Sequence, residues 1–260
     1  MLLLHGVGGS LELWSGQFAP ANADLRLIAV DLPGHGLSDF NVRPDSPGSF
    51  AALLWRVLDA LKLDCVHLVG NSLGAAICLQ MHSIQPARVL SLLLAAAAAL
   101  GRETPMPFRL MTLPGLGELM ARPGEAAIRQ QIQAIFGPEF GVTAEARSLI
   151  RRNVMRPGAQ RAFLGCIRQM TTLGGQRGEL IEQAQASLAA SHVPTLLIHG
   201  REDAVIPLKH SERTRRRLAN VNLIVIDHCG HTPQFEKPGV FNDHLNALVH
   251  HGFSVAWNCS

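Results

Sequence analysis

A Gly-x-Ser-x-Gly turn between a strand-like and a helix-like run constrains this chain more than any other feature. Val66-His67-Leu68-Val69-Gly70 is an apolar run of strand character, and Leu73-Gly74-Ala75-Ala76 opens a small-residue run of helical character. Between them lie Asn71 and Ser72, with a glycine two positions to either side of the serine. Those glycines fit a turn that brings backbone segments too close together for a Cβ. A sharp strand-to-helix turn of this kind holds its serine in a strained conformation, with the hydroxyl exposed above the sheet. The following helix aims its first N–H groups, and the positive end of its dipole, at whatever reacts there.

The 260 residues suit one large domain or one domain with an insertion, and a hydrophobic content of 47% is ample for a buried core. A formal charge of +3, from 23 basic and 20 acidic residues, is too mild to argue for nucleic acid or a membrane surface. The five cysteines are scattered and form no C-x-x-C pair, which argues against a disulfide framework or zinc site. The start, Met1-Leu2-Leu3-Leu4-His5-Gly6, lacks the basic region and long apolar stretch of a signal peptide. The longest nearly apolar run, Val89 to Leu100, is too short to span a bilayer. A cytoplasmic protein with no metal, organic cofactor, nucleic acid partner or membrane span is expected.

Short apolar strands alternating with helices predict a parallel sheet covered on both faces. The strands are expected at Leu2–Leu4, Leu25–Val30, Cys65–Val69, Val89–Leu94, Thr195–His199 and Asn222–Ile226. Helical spacing is read over Leu11–Phe18, Phe50–Leu63, Leu73–Ile84, Leu208–Leu218 and Gly239 to about Val249, with a loose tail over Ser254–Ser260. The alternation breaks between residues 101 and 190, where prolines and then helix-like segments (Ala144–Met155, Arg161–Leu173, Glu179–Ala190) occur without strands. This predicts a core of residues 1–100 and 191–253, with residues 101–190 forming a helical cap over the end of the sheet. The arginines at 147, 151, 152, 156, 161 and 168 in that cap read as a solvated face, with one of them a candidate partner for a substrate carboxylate.

A serine hydroxyl needs a base to remove its proton and a third group to orient that base. In an open parallel sheet, reacting groups gather at the carboxyl ends of strands. His231, in a Gly-His turn after the last strand, meets this condition best, with His5, His199 and His228 as competitors. His35, between glycines in another loop, reads as structural. Asp203 follows the preceding strand and is the candidate acid, with Glu202 and Asp227 as alternatives. The glycine-rich loop Gly6-Val7-Gly8-Gly9 matches no phosphate-cradle spacing. Its other use is to offer a backbone N–H to an anion that develops during reaction.

These blocks together resemble the α/β-hydrolase superfamily. The matching residues are His5-Gly6 with Gly8-Gly9, Asp31-Leu32-Pro33-Gly34-His35-Gly36-Leu37-Ser38, Gly70-Asn71-Ser72-Leu73-Gly74, His199-Gly200-Arg201-Glu202-Asp203 and Gly230-His231. The resemblance implies an α/β-hydrolase fold with Ser72 as nucleophile, His231 as base and then acid, and Asp203 as orienting acid. It further implies an oxyanion hole from the N–H groups of Val7 and Leu73, with Gly6, Asn71 and Thr232 beside the substrate. Family members usually carry two strands before the His-Gly strand, whereas this chain starts almost on it. A sheet of about six strands is therefore expected, with Leu25–Val30 at an exposed edge; the protein is either natively short or lacks its first twenty-odd residues. An open edge invites pairing with another chain, which makes a homo-oligomer one expectation.

The expected reaction is hydrolysis of a small-molecule carboxylic ester or related acyl substrate through an acyl-enzyme. The alternative is carbon–carbon bond hydrolysis of 2-hydroxy-6-oxo-dienoates, because Asn71-Ser72 resembles the elbow of the meta-cleavage product hydrolases. Those enzymes use a cap arginine and a tryptophan directly after the base histidine, whereas Thr232 follows His231 here.

Overall fold

The computed structural model describes residues 1–39 and 46–251; the tail expected to be loose lies outside the described residues. The core opens with β1 (Leu2–Leu4), β2 (Ile28–Val30), α1 (Pro47–Ala60), β3 (Val66–Asn71), α2 (Leu73–Ile84) and β4 (Val89–Ala95). Leu11–Phe18, expected to be helical, is a 3₁₀ helix between β1 and β2. The intervening segment comprises α3 (Met106–Leu110), α4 (Leu116–Met120), α5 (Glu125–Ile135), α6 (Ala144–Met155) and α7 (Ala159–Met170). A small antiparallel hairpin of β5 (Thr171–Thr172) and β6 (Gly175–Gln176) follows, then α8 (Gly178–Ala189). The chain closes with β7 (Thr195–Gly200), α9 (Lys209–Arg217), β8 (Val221–Ile226), α10 (Pro233–Glu236) and α11 (Pro238–His251).

The six core strands form one sheet in the order β2-β1-β3-β4-β7-β8, parallel throughout. The strands read as continuous apolar runs because the sheet is buried on both faces. Period-two alternation distributes them: Leu2, Leu4, Leu68, Leu92, Leu94 and Leu197 pack with α1 and α2, while Leu3, Val69, Leu93, Leu196 and Ile198 pack with Trp14 and α11. Truncating any of these fully buried leucines to alanine would cost about 2–5 kcal/mol.

Two elements depart from expectation for local reasons. α1 begins at Pro47 rather than Phe50, because the Ser46 hydroxyl accepts from Ser49 N–H and the Ser49 hydroxyl accepts from Ser46 N–H, with Pro47 in the first turn. α8 lies against α2: the Ser187 hydroxyl donates to the Leu79 carbonyl and meets His82, and Gln80 meets Gln183. That helix is thereby tied to a core helix through three side-chain contacts. Among the described residues, no helix is long and apolar enough to cross a membrane.

The β1 and β2 loops are joined through two buried imidazoles. His5 Nδ1–H donates to the Gly6 carbonyl, its Nε2 accepts from Leu32 N–H, and its ring lies 5.2 Å from that of His35. Burial lowers His5 to about 4, and burial together with the neighbouring His5 lowers His35 to about 3. Unfolded chains take up these protons near 6.5, whereas the folded protein does so only at the lower values. The stability tied to these two groups is therefore complete above about pH 6.5 and is lost as pH falls from there, at about 1.4 kcal/mol per pH unit for each imidazole. Urea midpoints measured from about pH 7 down to about 4.5 should fall steadily, and less steeply in a His35→Phe variant. A midpoint that stays level across that interval would contradict the assignment.

Candidate active site

Ser72 terminates β3 and caps α2 with φ +55 and ψ −112, a conformation that L residues adopt only when their surroundings impose it. The imposition is visible in the neighbouring bonds. Ser72 N–H donates to the Ala95 carbonyl at 2.9 Å, and its own carbonyl accepts from Ala75 and Ala76 in the first turn of α2. The two glycines are obligatory on steric grounds. A Cβ on Gly74 would lie 2.0 Å from the Leu4 carbonyl oxygen, and one on Gly70 would lie 2.3 Å from the Gly74 carbonyl carbon.

The loop after β1 runs close above the serine, since a Cβ on Gly6 would lie 3.1 Å from that of Ser72. Among the described residues, Val7 N–H and Leu73 N–H donate to no backbone or side-chain acceptor, and Leu73 is the first residue of α2, where no helical acceptor exists. Gly8, with φ +72, is held from the other side by Gln131 of α5, whose amide donates to the Gly8 carbonyl at 3.1 Å.

The other two expected members meet at the ends of β7 and β8. His231 Nδ1–H donates to Asp203 Oδ2 at 2.8 Å, which leaves Nε2 with its lone pair. Asp203 Oδ1 accepts from Val205 and Ile206 N–H at 2.8 and 2.9 Å. His199 Nε2 lies 3.1 Å from Asp203 Oδ2 and 2.9 Å from the Ile206 carbonyl; since both oxygens accept, this nitrogen carries the proton, and Nδ1 accepts from Ser211. Burial alone would raise the Asp203 carboxyl, but electrostatic attraction to the His231 imidazole and the hydrogen bonds from both imidazoles overcome it and hold the group well below the usual carboxylate range.

The alternatives sit elsewhere. Glu202 accepts from Cys229 N–H at 2.8 Å, Asp227 is exposed and pairs with Arg201, and His228 is exposed and pairs with Glu139. The Asn71 amide donates to the His231 carbonyl at 2.9 Å, tying the base loop to the residue beside Ser72. Among the described residues the Ser72 hydroxyl has no hydrogen-bond partner. In apo hydrolytic sites the nucleophile–base bond is often long and tightens with substrate.

A cavity of about 330 Å³ opens beside His231, Val7 and Gly8, walled by residues of α3 to α7 and the start of the loop after Asp203, with Phe108, Met111 and Phe163 prominent. His231 apart, the described residues that line it include no ionisable side chain. The arginines between α5 and α7 turn elsewhere. Arg147 and Arg151 pair with Glu125, Arg152 with Glu12 at 2.7 Å and Arg168 with Glu118 at 2.8 Å, while Arg156 donates to the Gly36 and Leu37 carbonyls and Arg161 is exposed. Gly6, Asn71 and Thr232, expected beside the substrate, do not line this cavity. The Thr232 hydroxyl is engaged with the Ile135 carbonyl at 3.2 Å and Glu236 at 3.1 Å. Gln131 and Glu236 are contributors that residue patterns did not flag, because their bonds to Gly8 and Gly137 reach far along the chain, whereas His199, expected as a competing base, instead donates to Asp203.

The sequence profile described as the alpha/beta hydrolase fold matches residues 1–238, and the chain belongs to that family. It is 30% identical over 254 residues to 2-hydroxy-6-oxo-6-phenylhexa-2,4-dienoate hydrolase of Comamonas testosteroni, covering 93% of this chain and 84% of that protein. It is 28% identical over 253 residues to an uncharacterized protein of Mycobacterium tuberculosis, covering 94% and 73% of the two chains. Among solved structures it is similar to a serine hydrolase from the polyaromatic hydrocarbon-degrading bacterium Cycloclasticus zankles, with a TM-score of 0.76, 26% identity, and coverage of 98% and 90%.

Proposed function

We propose that this chain is a serine hydrolase that cleaves neutral carboxylic esters through an acyl-enzyme. The observation that carries the reading is the Asp203–His231 bond of 2.8 Å on the rim of the sheet where the strained Ser72 turn stands. In this mechanism His231 Nε2 takes the Ser72 proton as Oγ attacks the ester carbonyl. The free N–H groups of Val7 and Leu73 receive the negative charge on the tetrahedral oxygen. His231 then protonates the leaving alcohol, activates water against the acyl-enzyme and returns its proton to Ser72. Residues from 101 to about 177 act as a cap that excludes water from the acyl pocket, and Val7 and His231 face the substrate.

The neutral substrate is inferred from the cavity wall. A carboxylate brought into an apolar cavity without a cation pays a large desolvation cost. None of the cap arginines lines the cavity, and Arg147, Arg151, Arg152, Arg156 and Arg168 are held on other acids and carbonyls. The 30% identity to a dienoate hydrolase supports the second reading, carbon–carbon bond hydrolysis of a carboxylate-bearing diketone.

Two esters with the same leaving group separate these readings. Mono-p-nitrophenyl glutarate differs from p-nitrophenyl butyrate by one terminal carboxylate. The butyrate should give kcat/KM higher by about 10²-fold or more. Equal rates, or faster turnover of a 2-hydroxy-6-oxo-dienoate than of butyrate, would overturn the neutral-ester reading.

A further inference from the structure

Glu236 is a buried carboxylate, 7% exposed, with no cation within ion-pair distance among the described residues. It accepts four hydrogen bonds instead. Oε2 takes Gly137 N–H at 2.7 Å and Gly230 N–H at 2.9 Å, while Oε1 takes Thr232 N–H at 3.0 Å and the Thr232 hydroxyl at 3.1 Å. Three of these donors belong to the residues that flank His231 in sequence, Gly230 on one side and Thr232 on the other. The third side of the junction comes from the turn after α5: His231 N–H donates to the Ile135 carbonyl at 3.0 Å. The two backbones are in direct contact, since a Cβ on Gly230 would lie 2.4 Å from Gly137 N and one on Gly137 would lie 2.9 Å from Gly230 N. The N–H groups of residues 230, 231 and 232 thus all bond to the Glu236 carboxylate or the Ile135 carbonyl, while the Asn71 amide holds the His231 carbonyl and Asp203 holds the imidazole.

We propose that Glu236 is a positioning residue that locks the His231 main chain to the 135–137 turn, so that the segment roofing the cavity also sets where the base stands. This inference rests on the reading of His231 as the general base. A carboxylate offers about four acceptor sites on two oxygens, and four donors converge on them here. Glutamine has the same shape but a single acceptor oxygen, and its amide would direct N–H against two of the four donors. A role limited to filling space would tolerate glutamine. A positioning role would not, because a misplacement of about 1 Å in a catalytic group costs on the order of 10²-fold in rate.

The experiment compares Glu236→Gln with the unaltered protein on p-nitrophenyl butyrate and on the rate of fluorophosphonate labelling of Ser72. The expected result is kcat lower by about 10²-fold, KM within about threefold, and labelling slowed in parallel with kcat. Unchanged kcat, with or without a lower melting temperature, would overturn the proposal. If Glu236→Gln does not fold, Thr232→Val and Thr232→Ser carry the test. The valine variant loses one donor and should lose about tenfold in kcat, while the serine variant keeps the hydroxyl and should stay near the starting value. A rise in KM at constant kcat in Thr232→Val would make Thr232 a substrate contact and overturn the proposal. Absence of Ser72-dependent turnover in the unaltered protein would overturn the hydrolase reading, and this inference with it. Active unaltered protein beside a fully active Glu236→Gln would overturn this inference alone.

Discussion

Replacing Ser72 by alanine should lower kcat on p-nitrophenyl butyrate by roughly 10⁵–10⁶-fold while leaving the melting temperature within a few degrees. The magnitude follows from what removal of the nucleophile costs in another serine enzyme, where the residual rate comes from the oxyanion donors and substrate binding. The fold should survive because Ser72 is held by its main chain: N–H to Ala95, carbonyl to the first turn of α2. Among the described residues its hydroxyl makes no bond that alanine would break. Relief of nothing at φ +55 is expected either, since alanine is as constrained there as serine. Stopped assays on matched protein concentrations would measure this, and a variant retaining a tenth of the activity would remove Ser72 from the chemistry.

Asp203→Asn carries the second large effect, a loss of about 10⁴-fold in kcat, the size that removing the charge of the orienting acid has in a serine protease. Asp203 Oδ2 accepts from His231 Nδ1, which fixes the tautomer that presents Nε2 as a base. An asparagine amide turned toward Nδ1 would impose the opposite tautomer. Here the acid is also bound by His199 and by Val205 and Ile206 N–H, so the asparagine faces four donors with one acceptor oxygen. Some loss of stability should therefore accompany the loss of rate. Asparagine cannot hold the imidazolium that forms in the transition state, so the rate effect exceeds any effect on KM. Near-normal turnover would reassign the acid, although Glu202 and Asp227 face other partners.

What the amino-acid order disclosed about this site follows a physical pattern. The Ser72 turn was readable because its requirement is local: two glycines at which an added Cβ would lie 2.0 and 2.3 Å from backbone atoms can be recognised in five consecutive residues. The six-stranded sheet was readable for a similar reason, since each strand is a short apolar run closed by a polar or glycine-rich loop. The edge strand shortened to Ile28–Val30 because β1 offers only Leu2–Leu4 to pair with.

The stretch from Met106 to Ile135 resisted reading, since its prolines and glycines sit at helix starts and between short helices, where they resemble loop residues. The arginines of the α5 to α7 region read as a solvated face with one candidate substrate partner, because the acids that neutralise them lie far away in sequence or on other helices. Glu236 illustrates the same limit: its bond to Gly137 spans 99 positions, and no spacing within the Gly230–Glu236 stretch announces it.

The central claim is that Ser72 becomes covalently acylated with His231 acting as its base. Mixing the protein with p-nitrophenyl butyrate, quenching in acid within the first turnover and digesting for mass spectrometry tests it directly. The account predicts a butyryl group on the peptide containing Ser72, formed at the rate of the p-nitrophenolate burst and missing from both Ser72→Ala and His231→Ala. Release of p-nitrophenolate at full rate with no acyl group on Ser72 at any quench time would contradict it.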